Sequence, residues 1–225
     1  LKKIKSKFPD LVVICDVALD AYTLSGHDGV LDKSGYVDND KTIEILSKMA
    51  TLLASHGCDV VAPSDMMDGR VRAIRNSLEK AKMSNTCILS YSSKFASNFY
   101  SPFRDALGSK KNLGDSSKSS YQIDFRNFNE AIKETLEDIQ EGADIVMVKP
   151  AMYYLDIINE IKTKSLVPVA AFQVSGEYSM IKIAAENNYL DLKNCVFESL
   201  ACIKRAGADI IFSYFSNDVA TWLTE

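Results

Sequence analysis

The stretches HGCDVV (56–61), EGADIV (141–146) and AGADII (206–211) are one phrase written three times. Each ends a segment of helical apolar spacing at a glycine, and two residues later an aspartate opens an apolar run. The glycine supplies the left-handed backbone that stops a helix, and the link is a short helix-to-strand loop. Repeated helix–Gly–x–Asp–strand units predict parallel strands joined by crossover helices.

Outward from these phrases, strands are expected near 11–16, 59–63, 87–92, 144–149, 167–173 and 209–214. Helices are expected near 40–56, 70–82, 129–141, 153–163, 178–187 and 194–206. Asp38 or Asn39 can cap the first of these helices, and Asn127 or Asn129 the one before EGAD. Links 17–39 and 98–128 are long, rich in Gly, Ser, Asp and Lys, and both follow strand ends. Such loops collect at the catalytic face of a (β/α) barrel. No GxGxxG or Walker A pattern recommends a doubly wound sheet. The chain therefore reads as one α/β domain over residues 1–225 with the TIM (β/α)8 barrel architecture. Eight strands and typically about 250 residues complete such a barrel. Six strands after an abrupt Leu1 read as a barrel lacking its first two β/α units, and the targeting region is not in view.

Composition narrows the function class. The chain is 47% hydrophobic and 25% charged, enough for a sizeable core. Lys plus Arg number 26 against 30 Asp plus Glu, mixed along the chain, which argues against a nucleic-acid partner. Apolar stretches are strand-sized, so no membrane span is expected. Five cysteines with no CxxC pair suit reduced thiols.

Two lysines stand at strand ends: Lys149 in DIVMVKPAM (144–152) and Lys94 in CILSYSSKFAS (87–97). A lysine at the end of a buried strand is rarely there for packing. Burial beside a second cation lowers its pKa towards roughly 7–8, which frees the neutral amine as a nucleophile. A rim lysine paired with an acid explains one such residue; the pair favours chemistry. In the first long loop Asp16, Asp20 and Asp28 bring three carboxylates to one mouth, with His27 beside them. Hard divalent cations are one reading, and turn-capping aspartates in a solvated loop are the other, narrowly ahead. Ser64 in SDMMDGR (64–70) can point into the mouth, while Asp68 can pair with Arg70 or cap the next helix. In QVSGEY (173–178), Ser175 and Gly176 leave room for a carboxylate at a helix N-terminus, and Tyr214 can donate its phenol to the same group. Arg104 is a clamp for a second carboxylate.

Taken together, SYSSKFASNFYSPFRDA (90–106) and DIVMVKPAMYYLDII (144–158) resemble the porphobilinogen synthase (5-aminolevulinate dehydratase) family, over about Phe8 to Trp222. The resemblance implies a TIM barrel with an amino-terminal arm, a homo-oligomer (octamer or hexamer), and condensation of two 5-aminolevulinate molecules in tetrapyrrole synthesis. It implies that Lys149 forms a Schiff base with the first substrate and that Lys94 engages the second. Ser175 and Tyr214 match positions holding the first substrate's carboxylate, and Arg104 and Gln122 positions on the second-substrate side. Ser64 and Asp16 match polar residues of the mouth, and Lys118 falls in the active-site lid, here the serine-rich GDSSKSSYQ (114–122). Zinc-dependent members carry three cysteines where this chain has Ala18, Asp20 and Asp28. The resemblance is thus to the aspartate-rich branch of plastids and many bacteria, whose members respond to magnesium or need no metal at the active site: no zinc site is expected, and the compartment is plastid or cytoplasm. Glu134 matches an allosteric magnesium position, with Asp20 and Asp28 as weaker ligands. A class I aldolase, needing a single Schiff-base lysine, is the alternative enzyme; a silent barrel serving as a binding module is the alternative outside catalysis.

Overall fold

The computed structural model describes residues 1–107 and 117–225. Residues 114–116, the start of the expected lid, lie outside the described part. Six parallel strands lie side by side in chain order: β1 (Ile14–Val17), β2 (Val60–Pro63), β3 (Cys87–Lys94), β4 (Ile145–Lys149), β5 (Val169–Gln173) and β6 (Ile210–Ser213). Every crossover lands on the next strand, so there is no point at which the order reverses, as a doubly wound sheet requires. The helices are α1 (Lys2–Lys7), α2 (Asn39–Ser55), α3 (Arg70–Lys80), α4 (Ser101–Leu107), α5 (Phe128–Glu141), α6 (Leu155–Lys164), α7 (Ser175–Glu186), α8 (Leu192–Ala206) and α9 (Ser216–Trp222). Asp38 and Asn127 supply the side-chain caps of α2 and α5.

Strand residues alternate between two apolar layers. Val61, Ile88, Val146, Val148, Val169 and Ala171 face outward into the main core, where helix residues such as Leu46, Ile74, Ile158 and Ile203 cover them. Val60, Leu89, Met147 and Ala170 face inward and pack on one another, which curls the sheet into a partial barrel. No helix among the described residues is long and apolar enough to cross a membrane.

Two local expectations are corrected. The first strand begins at Ile14, not residue 11. Leu11 and Val12 remain exposed, because β2 offers partners only from Asp59 onward and no strand is paired on the other side of β1 among the described residues. Asp68 neither caps α3 nor pairs with Arg70. Gly69, with φ 77°, is the cap position, Asp68 is exposed, and Arg70 pairs instead with Asp65 and Asp138.

The thrice-written phrase has one structural meaning. Gly57, Gly142 and Gly207 all have positive φ (94°, 107° and 123°) where a helix must stop within one residue. The aspartate that follows reaches sideways to the preceding strand. Asp59 accepts from Val13 N (2.8 Å), Asp144 from Ile88 N (2.7 Å) and Asp209 from Val169 N (2.8 Å). Each carboxylate also pairs with a basic residue of the helical layer, Lys5, Arg75 or Lys162. These clamps pin neighbouring strands in register at their amino ends, opposite the end that carries the two lysines.

Asp144→Ala is expected to lower stability by about 1–3 kcal/mol, the cost of an amide losing a charge-assisted partner. Activity per folded molecule should be unchanged, since Lys149 lies about 16 Å away along the strand. Chemical denaturation with parallel assays checks both; an activity loss without a stability loss would contradict the clamp role.

Candidate active site

Alternation along β4 carries Met147 inward, Val148 outward and Lys149 inward. Along β3 the same rule, counted from inward Leu89 and Tyr91, would turn Ser93 in and Lys94 out. A bulge intervenes. Ser90 pairs with Val146 and Ser93 with Val148, so Tyr91 and Ser92 together oppose Met147. The extra residue reverses the alternation. Ser93 turns outward, its hydroxyl donating to Ala131 O (2.8 Å) and meeting Thr135 Oγ1 (2.8 Å) on α5. Lys94 turns inward, directly opposite Lys149.

The Lys149 amine is surrounded by aromatic faces, 4.4 Å from the centre of the Phe172 ring, 5.0 Å from Tyr91 and 5.5 Å from Tyr100. Burial, then the Lys94 charge, bring its pKa down to about 7, against the opposing pull of Asp16, Asp28 and Asp20. A good fraction of neutral amine is therefore present near neutrality. Asp16 is raised by burial, despite a hydrogen bond from Ser64 and both lysine charges. The two amines open on a cavity of about 360 Å³, which Asp16, Asp20, Ser64, Ser175 and Tyr214 also line.

Lys94 is anchored from its far side: its ammonium donates to Ser64 O and lies 3.6 Å from Asp28 Oδ2. Asp28 is buried, and Lys118 reaches it at 2.6 Å and Asp20 at 3.2 Å. Burial alone would raise the Asp28 carboxyl, but Lys94 and Lys118 prevail and hold it below the usual range. His27, beside them, bonds Tyr121 Oη (3.1 Å) and is pushed down by burial and by Lys118.

The carboxylate-holding expectation falls on two different settings. Ser175 opens α7, where its hydroxyl accepts from Phe103 N (3.1 Å) and donates to Phe99 O (3.4 Å). Gly176 lets that segment approach, since a Cβ there would lie 2.5 Å from Phe99 O. Tyr214 is half exposed at the mouth, beside Tyr178 and Phe172. Arg104, Lys118 and Gln122 share a neighbouring cavity of about 260 Å³, with the Arg104 guanidinium over the Tyr100 ring. The Gln122 Oε1 is buried there without a hydrogen-bond partner among the described residues.

The loop aspartates are engaged by a lysine. Asp20 and Asp28 take the Lys118 ammonium between them, so the pair does not fit magnesium, and with Ala18 as third member it lacks the thiolates of a zinc site. Glu134 lies apart, in a cavity of about 410 Å³ with Asp68, Asp124 and Glu130. Burial, then Asp68 and Glu137, raise its carboxyl. Among the described residues no three His, Cys, Asp or Glu side chains converge as a metal-binding group.

The aromatic box of Tyr91, Tyr100 and Phe172 is not among the expected site residues, although inward alternation from Leu89 and Ala170 points to two of the three. Nor is Glu177. Fully buried, this carboxylate accepts from Val174 N (2.7 Å), Met152 N (2.7 Å) and Ala151 N (3.4 Å), tying the turn after Lys149 to the start of α7. Nothing in its spacing distinguishes it from an ordinary residue of a helix first turn.

The family model for delta-aminolevulinic acid dehydratase matches residues 1–222. The chloroplastic delta-aminolevulinic acid dehydratase of Selaginella martensii is 51% identical over 99% of this chain and 53% of its own length. The Helicobacter pylori enzyme of that name is 48% identical over 99% of this chain and 68% of its own. A crystal structure of the Toxoplasma gondii delta-aminolevulinic acid dehydratase (porphobilinogen synthase), in complex with the reaction product porphobilinogen, superposes with a TM-score of 0.96 at 49% identity. That match covers 98% of this chain and 63% of the other. The chain thus spans about half the length of its chloroplastic relative. With the strand-end lysines, the carboxylate-rich loop and the QVSGEY turn all inside the matched span, the chain belongs to the delta-aminolevulinic acid dehydratase family.

Proposed function

We propose that this chain carries the reacting pocket of a porphobilinogen synthase, which condenses two 5-aminolevulinate molecules to porphobilinogen with loss of water. The observation that carries the reading is the facing of Lys149 by Lys94 across one strand pair, with the Lys149 pKa at about 7. An aldolase of the Schiff-base type needs only one such lysine, and no observation favours it here.

In this reading the neutral Lys149 amine adds to the ketone of one substrate and expels water to form an imine. The protonated imine withdraws electrons from the adjacent carbons while bonds to the second molecule form. Lys94 takes the second ketone in the same way. Ser175 and Tyr214 receive the first carboxylate, and Arg104 and Gln122 the second. Asp16 and Ser64 line the mouth between them. No step is assigned to zinc or magnesium. Two further β/α units closing the barrel belong to the same proposal, supported by β1 and β6 each having a single strand neighbour and by the longer relatives. So does assembly into a homo-oligomer. The compartment is a plastid or the cytoplasm, in keeping with the chloroplastic and the bacterial relatives alike.

Borohydride reduction of the full-length enzyme with 5-aminolevulinate is expected to leave an adduct on Lys149. Lys149→Ala and Lys149→Arg should each lower kcat by at least about 10⁴-fold, since guanidinium stays protonated and cannot attack. An adduct confined to Lys94, or none, would overturn the assignment.

The rate of imine formation should rise with pH through about 7 and level off above it. Below that value the folded enzyme holds Lys149 as the unreactive ammonium. Lys94→Met removes the neighbouring charge, so its profile should move up by about one unit. A profile that stays in place would show that Lys94 does not set the amine's basicity.

Activity of the full-length enzyme should survive a zinc-selective thiol chelator, as the Ala18, Asp20 and Asp28 set predicts. Loss restored by zinc alone would contradict this.

A further inference from the structure

Arg70 lies outside the pocket, on the helix side of the sheet, and is almost wholly buried. Its guanidinium is shared among groups that meet at the β3 bulge. One terminal nitrogen donates to Ser90 Oγ (3.0 Å) and Tyr91 O (3.3 Å), the other to Met67 O (3.2 Å) and Asp138 Oδ1 (3.3 Å). Ser90 in turn donates to Asp138 Oδ2 (2.7 Å), and Asp65 Oδ2 sits 3.5 Å from the Arg70 Nε.

We infer that Arg70 is a positioning residue for the two-lysine pocket: it holds the bulge that turns Lys94 onto the face of Lys149. A bulge takes backbone groups out of the strand ladder, and inside a core they need another partner. Here the carbonyl of Tyr91, the first of the two bulged residues, receives the guanidinium. The same cation forms an ion pair at 3.5 Å, without a hydrogen bond, with Asp65, the neighbour of Ser64, whose carbonyl receives the Lys94 amine. One group therefore fixes both the root of the Lys94 side chain and the place where its tip lands. A planar fork of five donors can serve these acceptors together, and a lysine cannot. Stability is a weak explanation for the cluster, because apolar replacements of buried ion networks are often neutral or stabilising. The consequence for turnover rests on the amine chemistry proposed above; the geometric role does not.

The test reads Lys149 without substrate. In the full-length enzyme, competitive acetylation by acetic anhydride at a series of pH values, followed by mass spectrometry of the Lys149 peptide, gives the midpoint at which the amine becomes reactive. The groups facing that amine are Lys94, Asp16, Asp20, Asp28, Tyr91 and Tyr100; of these, Tyr91 belongs to the bulge itself and Lys94 is the one charged group that the bulge turns inward. Arg70→Met is expected to raise the midpoint by about half a unit to one unit, towards the value of Lys94→Met, as the second cation leaves. Arg70→Lys should fall between it and the unaltered enzyme. Ser90→Ala, which removes one anchor and no charge, should move the midpoint in the same direction by less. A folded Arg70→Met enzyme with a lower Tm and an unmoved midpoint would overturn the inference, leaving a merely structural arginine. If Arg70→Met does not fold, Ser90→Ala decides: an upward shift supports the role and an unmoved midpoint overturns it. Failure to trap an imine in the unaltered enzyme would sink the proposed reaction instead, while the acetylation midpoint would still judge Arg70.

Discussion

Two amines that face each other across adjacent strands cannot both carry a full charge cheaply in a half-dry pocket, and the surroundings of Lys94 and Lys149 answer to that constraint. Lys94 is anchored by Ser64 O and Asp28 on its far side. Lys149 has aromatic faces around it and no carboxylate in contact among the ion pairs described, and burial, then the Lys94 charge, bring its pKa down to about 7. Asp28 can remain ionised while buried because Lys118 closes on its other oxygen. The pocket is thus a chain of alternating charges that ends at a near-neutral amine.

Such an arrangement demands strict register, and the two ends of the sheet supply it differently. At the amino ends, three aspartates each hold the backbone N–H of the neighbouring strand and a basic residue of the helical layer. These pairs are partly exposed, so the ion pair itself contributes little, and the bond to the amide carries the effect. At the carboxyl ends, the constraint is buried. The bond from Ser93 to α5, the Arg70 cluster behind Tyr91 and Glu177 beneath the turn after Lys149 each satisfy backbone or hydroxyl groups that the irregular strand ends leave over. Irregularity and buried polarity occur together here because each freed backbone group needs a partner.

Much of this was legible beforehand because it depends on neighbours in the chain. All six strands and the six main helices were expected from apolar period and glycine stops, with errors of a few residues at their ends. Lys149 was legible as an inward residue at a strand end, since its strand alternates without interruption. Asp28 was not legible: three loop aspartates look the same whether they face a cation or an ammonium, and the ammonium comes from a residue 90 positions later. Asp68 was the expected partner of Arg70, but Arg70 turns back under the loop to Asp65, which is itself buried.

The sequence by itself determined the parallel winding, the outward and inward layers, and the presence of two strand-end lysines, because side-chain period and backbone stops are local properties. Only the tertiary structure decided that the two lysines meet. By counting alone Lys94 belongs on the outer face. It is one extra residue opposite Met147, held by contacts from α3 and α5, that turns it inward, and such a bulge is set by neighbours distant in sequence.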